Sequence, residues 1–101
     1  GVVDKAKADF GDDGVRVIRT GKHEFLVHRP ARADWKRYRK ESKDPARNGD
    51  ALEVLVRSCV VFPSREEFDR LLDRYPALCE EIAEPVLELA GLTGKAQTDP
   101  S

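Results

Sequence analysis

Residues Ala51 to Leu72 hold an apolar run, a proline break and a second amphipathic run, the order of a helix-turn-helix hairpin in the packing sense around which the rest of the chain is organised. Ala51, Leu52, Leu55, Val56, Cys59 and Val60 recur at the spacing of one helix face. Pro63 ends this element, because proline disfavours the helical region for the residue before it and donates no backbone hydrogen bond. Ser64 followed by Glu67 reads as a capping box, in which each side chain satisfies an orphan backbone donor at a helix start. Phe68, Leu71, Leu72 and Tyr75 then fall on one helical stripe. The pattern predicts helices over about 46–62 and 65–75.

The flanks extend this reading. Val15 to Thr20 and Glu24 to Arg29 are rich in β-branched and aromatic residues and flank Thr-Gly-Lys-His, a hairpin signal over 15–29. Gly21 supplies the positive φ that a tight turn needs. By alternation Val15, Val17 and Arg19 share a face of the first strand, and Phe25 and Val27 share a face of the second. A two-stranded hairpin is marginal alone, so it must lean on the helices or on another molecule's strand, and its edges are a candidate docking site. Pro30 stops the strand, and a first helix follows over about 31–43. Asp44 and Pro45 read as N-cap and first helical residue of the next, with Asn48 and Gly49 weakening its start. A last helix over about 77–90 carries Leu78, Cys79, Ile82, Ala83, Val86, Leu87 and Ala90 on a broad apolar face. Pro85 inside it predicts a kink or a split, and Gly91 a C-cap.

The expected architecture is therefore α+β and helix-dominant: an N-terminal β-hairpin followed by about four short helices packed as a small bundle. Residues 14–91 form one globular domain, with a flexible lead-in over 1–13, where Val2, Val3, Ala6 and Phe10 hold at most a turn or two of helix. A frayed tail follows over 92–101. At 101 residues the chain has room for one modest core. No run approaches the roughly 18 uncharged residues of a membrane helix, and nothing resembles a signal peptide. The chain opens on Gly1 and contains no Met, so its start reads as processed or engineered, with room for a segment upstream.

Net charge is only −1, yet it is distributed unevenly. Residues 14–47 hold eleven Lys/Arg against four Asp/Glu, and residues 48–101 hold five against eleven. Such polarity steers a domain toward a partner or toward copies of itself; two simply solvated faces are the bland alternative. The basic half centres on Lys36, Arg37 and Lys40, interleaved with Trp35 and Tyr38. Basic residues with aromatics can bind a phosphate backbone and stack on bases. The helical spacing of the two aromatics favours the core instead, with long basic stems draped over its edge. The acidic half centres on Glu80, Glu81 and Glu84. These six charged residues are the candidate partner-binding positions.

No catalytic set emerges. Ser58 and Ser64 have no base beside them in the pattern, and no phosphate-cradling glycine loop or metal-ligand spacing is present. His23 and His28 lie five apart in a strand, on opposite faces, and read as exposed strand-end residues rather than ligands. Cys59 and Cys79 form no CxxC motif and read as buried free thiols, small core hydrophobes. The chain reads as non-enzymatic, with no cofactor and no metal.

From Glu24 to Gly91 the chain resembles small tail-assembly proteins of tailed bacteriophages and prophages, the tail-assembly chaperone group. The resemblance rests on RPARADWKRYR, on DPARNGDALEVLVRSCVVFPSREEFDRLLDRYP and on the Leu-rich helix ending LAG. Its most characteristic parts are Leu55 to Ser64 and Leu71 to Pro76, packing and capping segments that carry no catalytic motif. The resemblance implies a non-enzymatic role in the bacterial host cytoplasm: coating an aggregation-prone tape-measure protein and recruiting tail-tube subunits. Self-association through the polarised charge fits that role. Two other classes compete: a nucleic-acid-binding or regulatory module using helix 32–43, the weaker reading, and a structural tail completion or connector subunit.

Overall fold

Thr20 and His23 close a two-residue turn in which φ is +58° at Gly21 and negative at Lys22, the sign pattern of a type II′ hairpin. From this turn run strands β1 (Val15–Thr20) and β2 (His23–His28), antiparallel with Val17 opposite Leu26 and Ile18 opposite Phe25. The computed structural model describes residues 1–92. Around the hairpin it places α1 (Val2–Phe10), a 3₁₀ turn (Asp12–Gly14), α2 (Arg32–Ser42), α3 (Asn48–Cys59), β3 (Val60–Phe62), α4 (Arg65–Arg74) and α5 (Leu78–Leu89). The fold is the expected α+β, helix-dominant arrangement, with the hairpin ahead of four helices. No helix among the described residues is long and apolar enough to cross a membrane.

Three features depart from the sequence reading. The predicted helix 46–62 ends at Cys59, and Val60–Phe62 form a third strand antiparallel to β2, in the sheet order β1-β2-β3. Two valines and a phenylalanine before a proline favour extended backbone, and β2 otherwise has an unpaired edge that this segment fills. Residues 2–10 are helical rather than a lead-in: Ala6 is buried, and Phe10 stacks on His28 at 4.1 Å with ring planes 3° apart. Finally, α5 runs through Pro85 without splitting. The carbonyl that Pro85 leaves unpaired belongs to Glu81, on the exposed side of the helix, where water can satisfy it. Of the tail assigned to 92–101, all but Leu92 lies outside the described residues.

Because β3 pairs with it on one side and β1 on the other, β2 is central and buried on both faces. That is why Phe25, Leu26 and Val27 run apolar without alternation. Phe25 and Val27 face inward, onto Leu55, Val56 and Cys59 of α3, Phe68 and Leu72 of α4, and the apolar face of α5. Phe25 and Phe68 meet edge to face at 5.8 Å. Trp35 and Tyr38 pack against this core from α2, as their stripe predicts, so α2 contributes aromatic area without a fully buried residue. Leu26 faces outward, toward α1, which lies across all three strands. The molecule is thus layered as α1, sheet, then α2 to α5.

Caps confirm several local readings. Ser64 Oγ accepts from Glu67 N–H at 3.2 Å, but the Glu67 carboxylate turns to Arg70 at 3.0 Å, so half of the capping box forms. Asp44 Oδ1 accepts from Ala46 N–H at 2.9 Å, but the bond closes only a turn: α3 begins at Asn48 rather than at Pro45, with Arg47 as its N-cap and no side-chain bond there, so Asp44 is not the N-cap that the sequence predicts. At the end of α5, Gly91 N–H bonds to Glu88 O and Leu92 N–H to Leu87 O, both at 3.0 Å, with Gly91 at φ +99°. This is a complete Schellman motif.

Candidate functional site

The outer face of the sheet is only partly covered. Antiparallel partners share a face, so Val15, Val17 and Arg19 of β1 lie beside His28, Leu26 and Glu24 of β2, with Phe62 next to Leu26. Helix α1 closes the His28 end through Phe10. Toward its N-terminus it stands off the sheet and leaves a groove of about 280 Å³ lined chiefly by Val2, Val3, Val17, Leu26 and Phe62. Six large apolar residues are exposed among those described, and four of them rim this groove: Val2 (52%), Val3 (38%), Val17 (43%) and Phe62 (51%). Scattered singly they would need no explanation; gathered on one concave face they form a patch. Asp4 and Glu24 supply polar groups at its border.

The signals for this patch were present in the sequence but ambiguous. Val15 and Val17 alternate on one face, yet nothing showed that their face differs from the one covered by the helix bundle. Val2 and Val3 sit in a charged segment, where an apolar pair carries little weight. Phe62 falls at the end of the predicted helix 46–62, where an exposed apolar residue carries no signal of a strand.

The six charged candidates lie elsewhere, on the bundle side. Lys36, Arg37 and Lys40 are exposed on α2, and Arg37 meets Asp34 one turn earlier at 3.4 Å. Glu80, Glu81 and Glu84 are exposed on α5. Glu81 accepts a hydrogen bond from Thr20 Oγ1, and Glu88, two turns further along the same stripe, pairs with Arg16. Part of the acidic stripe therefore fastens α5 to β1 and is not spare for a partner. Helix α2 packs on α3 and α3 on α5, and no ion pair joins the basic set to the acidic set among the described residues.

The remaining chemistry-bearing residues are structural. His23 and His28 occupy opposite faces as expected, but both are half-buried rather than exposed: His23 lies 5.6 Å from the Tyr75 ring and His28 stacks on Phe10. Cys59 and Cys79 are buried and free. Desolvation pushes both thiols up to about 11; beyond burial, Asp34 raises Cys59 against the Ser58 hydroxyl, and Glu53 and Glu80 raise Cys79. These are inert thiols, the opposite of an activated nucleophile. Arg57, which no sequence motif singles out, makes a bidentate pair with Asp69 at 2.8 and 2.9 Å and ties α3 to α4. Among the described residues no three His, Cys, Asp or Glu gather as a metal site.

Comparison with known proteins places this geometry in context. A family model described as a domain of unknown function, DUF6848, matches residues 18–99. A solved structure of the uncharacterised protein rbstp2171 from Bacillus stearothermophilus is similar, with a TM-score of 0.71 and 27% sequence identity, covering 97% of this chain and 98% of that one. No match is found among curated proteins.

Proposed function

The chain belongs to the DUF6848 family, whose description carries no function, and from the geometry of its sheet we propose that it is a non-enzymatic assembly protein that holds apolar segments of a client chain on the outer face of that sheet. The observation that carries this reading is the clustering of Val2, Val3, Val17 and Phe62 around one groove. A concave apolar surface with a few polar groups at its border takes up apolar side chains and imposes little sequence demand. That is what a chaperone of a long, aggregation-prone chain requires. Together with the resemblance of residues 24–91 to tail-assembly chaperones, it supports a role in phage or prophage tail assembly. The client would be a tape-measure protein, tail-tube subunits would be recruited through the charged faces of α2 and α5, and the setting would be the host cytoplasm.

Co-expression with a tape-measure-type chain from the same genome tests the proposal. The expected result is a soluble complex that co-purifies and that Val2→Asp or Phe62→Ser disrupts. Val2 opens α1, where an acidic residue suits the helix dipole, so Val2→Asp leaves the helix intact while placing charge in the groove. A complex indifferent to both variants would move the client off this face. A client that stays insoluble, with the domain found instead in finished particles or retained on nucleic acid, would replace the chaperone reading by the structural-subunit or nucleic-acid one respectively.

A further inference from the structure

The two edges of the sheet are not equivalent. The β3 edge is three residues long and runs into Pro63, two features that discourage a further strand. The β1 edge is six residues long and contains neither proline nor bulge. Arg29 N–H bonds to Gly14 O at 2.7 Å, which sets the phase of the ladder. With the observed register, Arg16, Ile18 and Thr20 direct their backbone groups to β2, and Val15, Val17 and Arg19 direct theirs outward. No other backbone among the described residues bonds to those three outward positions. The neighbours of β1 lie elsewhere: α1 over the outer face, α5 against the inner face through Arg16–Glu88 and Thr20–Glu81.

We propose that this edge is the interface to a second copy of the chain, with two β1 strands pairing antiparallel about Val17 to join two three-stranded sheets into one. The register centred on Val17 is self-complementary, as a two-fold interface must be. Val17 meets its own counterpart, Arg19 lies opposite Val15, and Arg16 lies opposite Ile18, so no arginine faces an arginine. Both arginines are already neutralised at home, by Glu88 and by Glu24 at 3.4 Å. The ends of the strand complete the match. Antiparallel pairing puts the hairpin turn of one copy, which carries Lys22, at the same end as the 3₁₀ turn of the other, which carries Asp12, and neither residue has an ion partner within its own protomer among the described residues. A parallel pairing would instead set Lys22 against Lys22 and Asp12 against Asp12. The antiparallel pair brings the two apolar grooves onto one continuous outer face, a longer surface for an extended client. The pairing itself does not depend on what that surface binds.

Sedimentation equilibrium on the 101-residue chain tests it. The expected result is a concentration-dependent dimer that Val17→Pro abolishes. The Val17 N–H faces away from β2, so proline there blocks a partner strand without removing a hydrogen bond of the hairpin. Asp12→Lys and Lys22→Asp should each weaken the dimer about fivefold, and the two together should restore it. This charge swap sits outside the strand and stays informative if the proline variant folds poorly. A wild-type chain that is monomeric up to roughly 1 mM overturns the proposal. So does a dimer that ignores both the proline and the charge swap.

Discussion

Gly91 shows how much one residue can decide. At φ +99° it ends α5 by turning the chain so that its own N–H and that of Leu92 reach the last free carbonyls. An added Cβ would meet nothing within 4 Å, so the cost of Gly91→Ala is backbone strain alone. That strain is about 1 kcal/mol, which for a domain of this size lowers Tm by roughly 4–8 °C; a shift near zero in a thermal scan would refute the cap. The two thiols make a second prediction. Their proton is held to about pH 11 in the folded chain and released near 9 once unfolded, so their contribution is complete below pH 9 and lost as pH rises to 11. Urea unfolding at pH 8 and pH 10.5 should show a stability loss on the order of 2 kcal/mol per thiol, and both thiols should resist a thiol reagent until the chain unfolds. Gly91 and the cysteines were legible in the sequence because each depends on its immediate neighbours. The half-burial of His23 and His28 was not, because it depends on Tyr75 and Phe10, which sequence proximity does not connect to them.

At the scale of the element, legibility tracked length. The ten to twelve residues of α2 to α5 give three turns each, enough for an apolar stripe to declare itself. Strand β3 has three residues, too few to tell alternation from the end of a helix, and it exists because β2 offers a free edge. Helix α1 has a sparse stripe whose single buried residue is Ala6, and it gains its place from the outer face of the sheet rather than from its own pattern. The start of α4 shows how a motif can be read correctly and still form by half. Ser64→Ala should cost about 1 kcal/mol through the lost bond to Glu67 N–H. Glu67→Ala should cost much less, because its carboxylate serves an exposed i,i+3 pair with Arg70 and not the Ser64 backbone. Chemical denaturation of the two variants checks the order, and equal losses would mean that the full capping box forms in solution.

The charge imbalance between the two halves of the sequence is only partly a property of the whole molecule, since Arg16–Glu88 bridges them while Lys36 and Lys40 keep their charge at the surface. What the sequence could not convey is which face of the sheet the bundle covers, and the candidate site follows from that. The bundle takes the inner face with the large apolar residues of three helices; the outer face is left to one short helix that buries Ala6 and half-buries Phe10. These two sides should differ in local stability, because opening free energy follows buried apolar contact. In native-state hydrogen exchange, amides of α1 should exchange through local opening, largely independent of denaturant, while those of Leu55, Val56, Ile82 and Val86 follow global unfolding. Phe10→Ala removes the stack on His28 and should speed exchange across Val2–Phe10 by about an order of magnitude, with little change in the bundle. If α1 amides instead exchanged with the core, the helix would be an integral layer, the groove beneath its N-terminus would be rigid, and a client would have to fit its shape as found. Local opening has the opposite consequence: as α1 lifts, Leu26 and the remainder of the outer face join the exposed patch, so the surface offered to a client grows with its demand.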